Sequence, residues 1–306
     1  MIVSQEGPLM EFLLQALSGT SRTRVKELLG RGQVLVDDVI TTRYDAPLRP
    51  GQTVCIAKQG SKNPLRSPFV KIVYEDAHLL VVEKATGIRT NTLPGEPHNS
   101  LKRILDDYGR GAHPRFTVHT VHRLDRVTSG LLLFAKTRDV QQTFVRNWRT
   151  LVTDRRYVAL VEGRMEQDVG SVQSWLSENK MFVSYSSDTP DGGLFALTHY
   201  RTLQRGDDYS LVELKLETGR KNQIRVHMHD LGHPVCGDLK YGATSNPIGR
   251  VCLHAYKIQF LHPVTRRQLT FQTPVPTEFA LSGTNHEKIC RKTSGKKRTF
   301  AADIPQ

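Results

Sequence analysis

The apolar run GLLLFAK, residues 130–136, constrains the fold more than any other stretch of the chain. It is long enough for a buried strand. The polar segment HRLD, residues 122–125, comes shortly before it, and Thr137 directly after it can cap a helix that carries Val140, Phe144 and Trp148 on one side. The stretch therefore predicts a charged loop, a buried strand and a capped helix in that order.

The segments around this stretch mix strand and helix patterns. A β-hairpin is predicted within residues 71–87 with its turn at 75–78, and residues 156–161 alternate as a strand that holds Tyr157 on a rigid element. Residues 210–232 read as strand, tight turn and helix. A helix over 99–108 and two strands within 251–276 complete the pattern, whereas residues 166–192 are polar and are interpreted as an insertion or surface loops. This order favours an α+β fold with a mixed, mainly antiparallel sheet and flanking helices.

The N-terminal part has a different pattern. A short amphipathic helix is predicted over residues 9–18, and a second one begins after Ser21, its possible cap. The second helix presents a basic face, opposed only by Glu27. The cations of this face are Arg22, Arg24 and Lys26. Two strand-like runs follow, so the chain is predicted to divide into a small N-terminal domain at 1–57, a Gly/Ser/Pro/Lys linker at 58–69, a catalytic domain at 70–282 and a basic, disordered tail at 283–306.

Charge narrows the class of partner. The formal net charge of +13 over 306 residues favours polyanions such as nucleic acid, with acidic membranes and a merely basic solvated surface as the alternatives. The four cysteines show no CxxC spacing, and no window approaches the ~18 apolar residues of a membrane helix. The sequence therefore predicts a cytoplasmic protein without disulfides or a zinc ribbon.

Asp125 is the candidate reactive group. It lies between Arg123 and Arg126 in the sequence, and neighbouring opposite charge keeps a carboxylate ionised. An ionised carboxylate suits a nucleophile or base better than a general acid. The alternative, from these residues alone, is a structural ion pair in a turn.

A metal site is not predicted. The candidate ligands His227, His229, His233 and Cys236 do not converge on a helical reading, so packing or RNA contact is the preferred interpretation.

Four blocks together carry a family resemblance. HRLDRVTSGLLLFAKT closely resembles the central motif of the RluA-type pseudouridine synthases, and the other three agree in order. These are VVEKATG at 81–87, RRYVALVEG at 155–163 and LETGRKNQIRVHMHDLGHPVCGDLKYG at 216–242, and VCLHAYKIQFLHP at 251–263 also fits. The related RsuA-type enzymes usually have glycine where His122 stands, so the RluA type is preferred.

A second resemblance concerns the N-terminal part. SRTRVKELLGRGQVLVDD followed by PLRPGQTV is similar to the S4 RNA-binding domain, a small α/β module. Asp37 and Asp38 stand where that family commonly has Asn-Gly, which bears on the hairpin more than on the basic helix. The resemblance implies that Arg22, Arg24 and Lys26 contact RNA.

The RluA-type resemblance implies roles for five residues. Asp125 would be the catalytic aspartate acting on a uridine, with Arg225 as its salt-bridge partner. Tyr157 would stack on the base and assist late proton removal. Arg123 would fill or hold open the space of the extruded nucleotide, and His122 would position the loop. Extrusion is expected because the bond between ribose C1′ and base N1 is inaccessible inside a stack. The reaction needs no metal or cofactor.

The sequence departs from the family pattern at three places. Ala85 stands where proline is usual, Asn222 where histidine is usual, and Val251 where leucine is common. The first bears on loop rigidity near Lys84 and the second on substrate contacts.

Several functions remain open at this point. The preferred one is isomerisation of uridines in large-subunit ribosomal RNA by a monomeric enzyme. The same reaction on transfer RNA and a non-catalytic, RNA-binding ribosome-assembly factor are the alternatives. Glycoside hydrolysis fits less well because it normally needs two flanking carboxylates, and the motifs hold one acid.

Overall fold

The computed structural model describes residues 1–30, 33–37, 39–41, 43–56, 65, 67–93, 95, 100–110 and 115–280. Most of the predicted linker and all of the predicted tail lie outside these residues. The chain forms two units. The first comprises Met1–Arg126 and Leu132–Trp148, and the second comprises Val127–Leu131 and the chain from Arg149 onwards.

The first unit begins with a small α/β arrangement. Its elements are β1 (Gly7–Pro8), α1 (Leu9–Ala16), α2 (Arg22–Gly30), β2 (Val34–Val36), β3 (Val39–Ile40), β4 (Pro47–Leu48) and β5 (Val54–Ile56). β2 pairs with both β3 and β5 in antiparallel fashion. Leu9, Leu13 and Val25 are among the residues that form a buried core beneath the two helices. Both predicted helices are confirmed, and the Ser21 Oγ accepts a hydrogen bond from the Arg24 N–H at 3.2 Å.

The β2–β3 turn tolerates its unusual sequence. Asp37 takes a left-handed φ of 48°, which Asp adopts more readily than most residues. Its carboxylate accepts hydrogen bonds from the Thr53 N–H at 2.7 Å and the Gln52 side chain at 2.8 Å. These two bonds, the backbone one first, lower the pKa of Asp37. Asp37 is therefore compatible with a hairpin here, while Asp38 lies outside the described residues.

The rest of the first unit follows the sequence prediction. Its elements are β6 (Val70–Glu75), β7 (Leu79–Lys84), α3 (Leu101–Arg110), β8 (His119–Thr120), β9 (Ser129–Ala135), whose first residues belong to the second unit, and α4 (Arg138–Arg146). β6 and β7 form the predicted antiparallel hairpin. Every residue of β9 is buried, as expected for GLLLFAK. Thr137 caps α4 by accepting a hydrogen bond from the Val140 N–H at 3.3 Å.

The second unit is dominated by antiparallel strands. Its elements are α5 (Trp148–Leu151), whose first residue belongs to the first unit, β10 (Val152–Glu162), β11 (Val169–Glu178), β12 (Ser184–Ser187), β13 (Leu194–Arg205), β14 (Tyr209–Leu216), α6 (Gln223–Asp230), β15 (Leu253–Leu261) and β16 (Gln268–Gln272). The strand order is β12-β11-β13-β14-β10-β15, with β16 also on β15. β15 additionally pairs in parallel with Ser129 and Gly130 of β9. The predicted α+β fold with a mainly antiparallel sheet is confirmed.

The interpretation of residues 166–192 as loops is wrong. Two strands, β11 and β12, lie within this segment and pair with each other. On β11 the buried positions include Ser174 as well as Leu176, and the Ser174 Oγ bonds to the buried His227 Nε2 at 3.0 Å. A serine in a buried position weakened the apolar alternation that would have indicated a strand.

No helix among the described residues is long and apolar enough to cross a membrane.

Candidate active site

Asp125 lies in a turn of the first unit between β8 and β9. The turn is held from both sides of the carboxylate. The Thr90 hydroxyl donates to the Leu124 carbonyl at 2.8 Å and accepts from the Leu124 N–H at 3.2 Å. On the other side, Gly87 and Arg126 exchange two hydrogen bonds: the Gly87 N–H donates to the Arg126 carbonyl at 2.8 Å, and the Arg126 Nε–H donates to the Gly87 carbonyl at 2.9 Å. The half-buried Asp125 therefore has fixed backbone on either side.

Lys84 is the buried centre of this turn. Its side chain is 0% exposed, and its Nζ donates hydrogen bonds to the carbonyls of Ala85 at 2.9 Å, Ile88 at 2.9 Å and Arg126 at 3.4 Å. Burial lowers the pKa of Lys84 to about 8, and the negative charge of Asp125 opposes this shift. The lysine joins the end of β7 to the Asp125 turn and places a positive charge in the electrostatic range of Asp125.

Removing the Lys84 ammonium should loosen the turn. Lys84→Met keeps a side chain of similar length but removes the donor to the Ala85 and Ile88 carbonyls and one of the two donors to the Arg126 carbonyl, so we expect the free energy of unfolding to fall by about 2–4 kcal/mol. Lys71→Met, on the exposed side of β6, is the matched control and should change it by less than about 0.5 kcal/mol. Urea denaturation of both variants measures the difference. Equal effects would contradict a specific role for Lys84.

His122 and Arg123 have different environments. The His122 Nε2 accepts a hydrogen bond from the Leu133 N–H at 3.1 Å, and its ring lies 5.4 Å from the Trp148 ring. The first contact joins the start of the HRLD segment to β9, and the second joins it to Trp148. That His122 positions the loop for the reaction stays a prediction. Arg123 is exposed. An exposed guanidinium beside Asp125 is available to a substrate.

In the second unit, Tyr157 and α6 lie on the same face of the sheet. Tyr157 pairs with Leu214, which in turn pairs with Tyr200, so these side chains share a face. Thr198, two positions before Tyr200 on β13, belongs to that face and bonds through its hydroxyl to the His227 Nδ1 of α6 at 2.8 Å. Tyr157 is only 7% exposed, so its ring has little freedom to reorient.

Arg225 is held rigidly on α6. Its Nε–H and Nη2–H donate to the two oxygens of Asp238 at 2.5 and 2.6 Å, and its Nη1–H donates to the Asn222 Oδ1 at 2.8 Å. Its guanidinium carbon lies 4.7 Å from the centre of the Tyr241 ring. Asn222 has a left-handed φ of 57° and donates its own amide to the Ser184 Oγ at 3.2 Å. Arg225 is 7% exposed and Asp238 is 1% exposed.

This bidentate pair was not predicted. The sequence prediction gave Arg225 one carboxylate partner, Asp125, and this pairing stays a prediction. A guanidinium has five N–H donors, so a bond to Asp238 does not exclude a second carboxylate. The GDLKYG motif, which contains Asp238 and Tyr241, belongs to the family block at 216–242, but the sequence alone predicts no specific role for either residue.

The structure also shows the contacts of Asn222. In the sequence, Asn222 stands where the family usually has histidine, and this departure is expected to affect substrate contacts. In this structure its side chain contacts the guanidinium of Arg225 and the hydroxyl of Ser184. The structural role of Asn222 is therefore to orient Arg225.

Two of the candidate metal ligands, His227 and His233, bond to other protein groups. Both nitrogens of His227 contact hydroxyls, and burial lowers the pKa of His227 to about 4, which keeps the ring neutral. The His233 Nδ1 contacts the Glu162 carbonyl at 2.8 Å. Burial raises the pKa of the Cys236 thiol to about 12. The described residues contain no group of three potential ligands that could hold a metal ion.

On α2 the predicted basic face is exposed. Arg22, Arg24 and Lys26 are all accessible to solvent. Arg24 pairs with Glu27 at 2.8 Å, and both side chains of this pair are about half exposed (53% and 46%). A solvated ion pair of this kind contributes little to stability and leaves the cation accessible to a polyanion.

Comparison with known proteins identifies the fold and the reaction class. A family model for RNA pseudouridylate synthase matches residues 78–230, a range that includes the Asp125 turn, Tyr157 and Arg225. The chain belongs to the RNA pseudouridylate synthase family. The match confirms the predicted family and enzyme class.

Relatives from several bacteria extend the match in this family. An uncharacterised RNA pseudouridine synthase of Bacillus subtilis, YjbO, is 38% identical over 253 residues, which cover 81% of this chain and 88% of that protein. Ribosomal large subunit pseudouridine synthase D of Xanthomonas campestris is 34% identical, covering 84% of this chain and 82% of that protein. Its namesake in Neisseria meningitidis serogroup B is 31% identical, covering 89% and 76%.

Solved structures support the same fold. Human RNA pseudouridylate synthase domain containing 1 superposes with a TM-score of 0.57 at 24% identity, covering 78% of this chain and 100% of that one. Human RNA pseudouridylate synthase domain containing 4 gives a TM-score of 0.56 at 21% identity, covering 68% and 89%.

Proposed function

We propose that this pseudouridine synthase isomerises specific uridines of large-subunit ribosomal RNA, with Asp125 as the reacting carboxylate. The observation that carries the proposal is the Asp125 turn, fixed by Thr90, Gly87 and the buried Lys84 inside the family-matched region. The choice of RNA rests on relatives that are 31–34% identical and named for the large ribosomal subunit.

In the proposed reaction each of the five candidate site residues has a distinct role. In the isomerisation the bond from ribose C1′ to N1 breaks, a bond from C1′ to C5 forms, the C5 proton leaves and N1 gains a proton. Asp125 acts as nucleophile or base, the two roles open to a carboxylate in this reaction. Tyr157 offers a stacking face for the extruded base, and Arg225 provides the cation that pairs with Asp125. His122 positions the loop, and Arg123 occupies or holds open the space that the flipped nucleotide leaves.

Tritium release from 5-tritiated uridine tests the reaction and the RNA together. The substrates are transcripts of large-subunit ribosomal RNA and a transfer RNA mixture, incubated with the full chain. We expect release from the ribosomal transcript. Release from transfer RNA alone would overturn the proposed substrate. Absence of release from both, with impaired ribosome assembly in a deletion strain, would favour a non-catalytic assembly factor instead.

We also propose that residues 1–57 form an S4-like RNA-binding domain that acts through α2. Its basis is the helix–strand arrangement and the exposed cations Arg22, Arg24 and Lys26. Each phosphate contact contributes about 0.7–0.9 to the slope of log affinity against log salt concentration. Changing all three residues to glutamine should therefore lower this slope by about 2–3 for ribosomal RNA, measured by filter binding at several salt concentrations. An unchanged slope would show that these cations do not contact phosphate.

A further inference from the structure

The turn between β11 and β12 presents large apolar side chains to solvent. In this segment, residues 179–183 and here called the Phe182 turn, Met181 is 76% exposed and Phe182 is 70% exposed. Leu239, in the short 3-10 helix Leu239–Tyr241, is 72% exposed. Its neighbour Lys240 contacts the turn directly, because its Nζ donates to the Phe182 carbonyl at 3.0 Å. Single exposed hydrophobic residues need no explanation, whereas Met181 and Phe182 are neighbours in the chain and are both largely exposed, which is typical of an interaction site.

The Phe182 turn is rigid in its exposed position. The Asn179 side-chain oxygen accepts hydrogen bonds from the N–H groups of Met181 and Val183, both at 3.0 Å. The Phe182 N–H donates to the Asn179 carbonyl at 2.9 Å. Phe182 has a left-handed φ of 58°, which is unfavourable for an aromatic residue. Glycine would fit this backbone without strain, so the exposed ring indicates a function rather than a need of the fold.

Three lysines lie in or beside the Phe182 turn. The Lys221 Nζ lies 5.7 Å from the centre of the Phe182 ring and pairs with Glu178. Lys180 is exposed within the turn, and Lys240 contacts its backbone. Lys180, Lys221 and Lys240 give this segment more positive charge than Glu178 offsets, which favours a polyanion over a protein partner.

The same segments are bonded to the groups that orient Arg225. Lys221 immediately precedes Asn222, and Lys240 immediately precedes Tyr241. Ser184, next to the Phe182 turn, accepts from the Asn222 amide at 3.2 Å and donates its N–H to the Tyr241 hydroxyl at 3.2 Å. A nucleic acid that contacts Arg225 would therefore reach the Phe182 turn within the second unit.

We propose that the Phe182 turn binds single-stranded RNA next to the target uridine, with a base stacked on the Phe182 ring and phosphates on Lys180, Lys221 and Lys240. Stacking on an exposed aromatic ring is tolerant of sequence, and neighbouring cations follow the backbone, the usual combination in single-strand binding surfaces. This inference rests on the proposed function and adds to it a surface that selects unpaired RNA.

Phe182→Ala tests the surface. The matched control is Val264→Ala, which truncates another exposed apolar residue (51% exposed) of the same unit. We expect Phe182→Ala to weaken binding of full-length protein to a uridine-rich single strand of about 12 nucleotides by roughly tenfold. KM for ribosomal RNA should rise similarly while kcat at saturating RNA stays within about twofold. Val264→Ala should leave both quantities unchanged.

Two more variants separate an effect on binding from an effect on folding. Phe182→Gly should raise the midpoint of thermal unfolding because the positive φ is relieved, yet it should bind RNA as weakly as Phe182→Ala. Phe182→Trp should retain binding and show quenching of its fluorescence when the oligonucleotide is added.

The outcomes also distinguish this inference from the proposed function. An active wild type with normal binding by Phe182→Ala would overturn the inference alone. A wild type that binds ribosomal RNA but releases no tritium would overturn the proposed reaction, whereas loss of binding in Phe182→Ala would still support the surface. Sedimentation that shows wild-type dimers and monomeric Phe182→Ala, with RNA affinity unchanged, would make the turn a contact between copies of the chain and overturn the inference.

Discussion

Replacing Asp125 with asparagine should reduce pseudouridine formation at least ~10³-fold. Asparagine has nearly the same shape, but it carries no negative charge, so it can neither attack a uridine nor accept a proton as a carboxylate does. Tritium release from ribosomal RNA, measured under single-turnover conditions, gives the rate of the chemical step for wild type and variant. The hydrogen bonds from Thr90, Gly87 and Lys84 to the backbone of Leu124 and Arg126 are kept in this variant, so the fold should persist.

The control for this variant is Asp107→Asn. Asp107 is an exposed carboxylate on α3 of the same unit, 53% exposed and paired with Arg103 and Arg110. Its substitution should leave the rate within about twofold and the unfolding free energy within about 0.5 kcal/mol. Asp125→Asn should still bind RNA with wild-type affinity. A variant that retains a tenth of the wild-type rate or more would rule out Asp125 as the reacting group.

The elements that were predicted correctly are those with local signals. Ser21 and Thr137 are cap residues, and each indicates in the sequence where the following helix begins. Strand β9 is apolar at nearly every position, which indicates a buried strand. The strand, turn and helix over 210–232 also have separate periodicities. β11 was missed because Ser174 occupies a buried position and its partner, His227, lies far along the chain. The burial of a serine side chain can be explained only when its hydrogen-bond partner is known.

The sequence predicts only part of the candidate site, because several of its residues act through contacts with distant parts of the chain. The HRLD segment and Tyr157 stand in recognisable blocks, so family resemblance could single them out. The sequence does not predict the structural role of Lys84, because this role depends on a hydrogen bond to the Arg126 carbonyl, 42 positions away in the chain. The sequence did not predict the pairing of Asp238 with Arg225, although the two residues are only 13 positions apart. Helix α6 ends at Asp230, and the course of the chain from there to Asp238 cannot be derived from periodicity.

Together these observations change the interpretation of Arg225. A long side chain has many rotamers, and fixing one of them costs free energy. Here Asp238, Asn222 and the Tyr241 ring hold the guanidinium before any substrate arrives. Arg225 is therefore prepared as a fixed positive charge, which stabilises a negative group more effectively than a mobile one does.

Asp238→Asn should have the largest effect on stability of any variant discussed. It leaves the buried Arg225 cation without its carboxylate, and breaking a buried pair in this way destabilises a protein by about 3–5 kcal/mol. Pseudouridine formation should fall as well, with a lower kcat rather than a higher KM, because the guanidinium loses its orientation. For comparison, Glu27→Gln breaks the exposed pair with Arg24 and should change stability by less than about 1 kcal/mol.

A double variant shows whether the pair is a positioning device or only a structural one. Asp238→Asn combined with Arg225→Met contains no unpaired buried charge, so it should regain most of the stability lost by Asp238→Asn alone. Its activity should nevertheless stay low, because the positive charge that Asp238 orients is gone. Urea denaturation and single-turnover tritium release on the four proteins of the cycle measure the two quantities separately. If the double variant recovered activity together with stability, the Asp238–Arg225 pair would serve the fold alone, and the charge on Arg225 would have no part in the reaction.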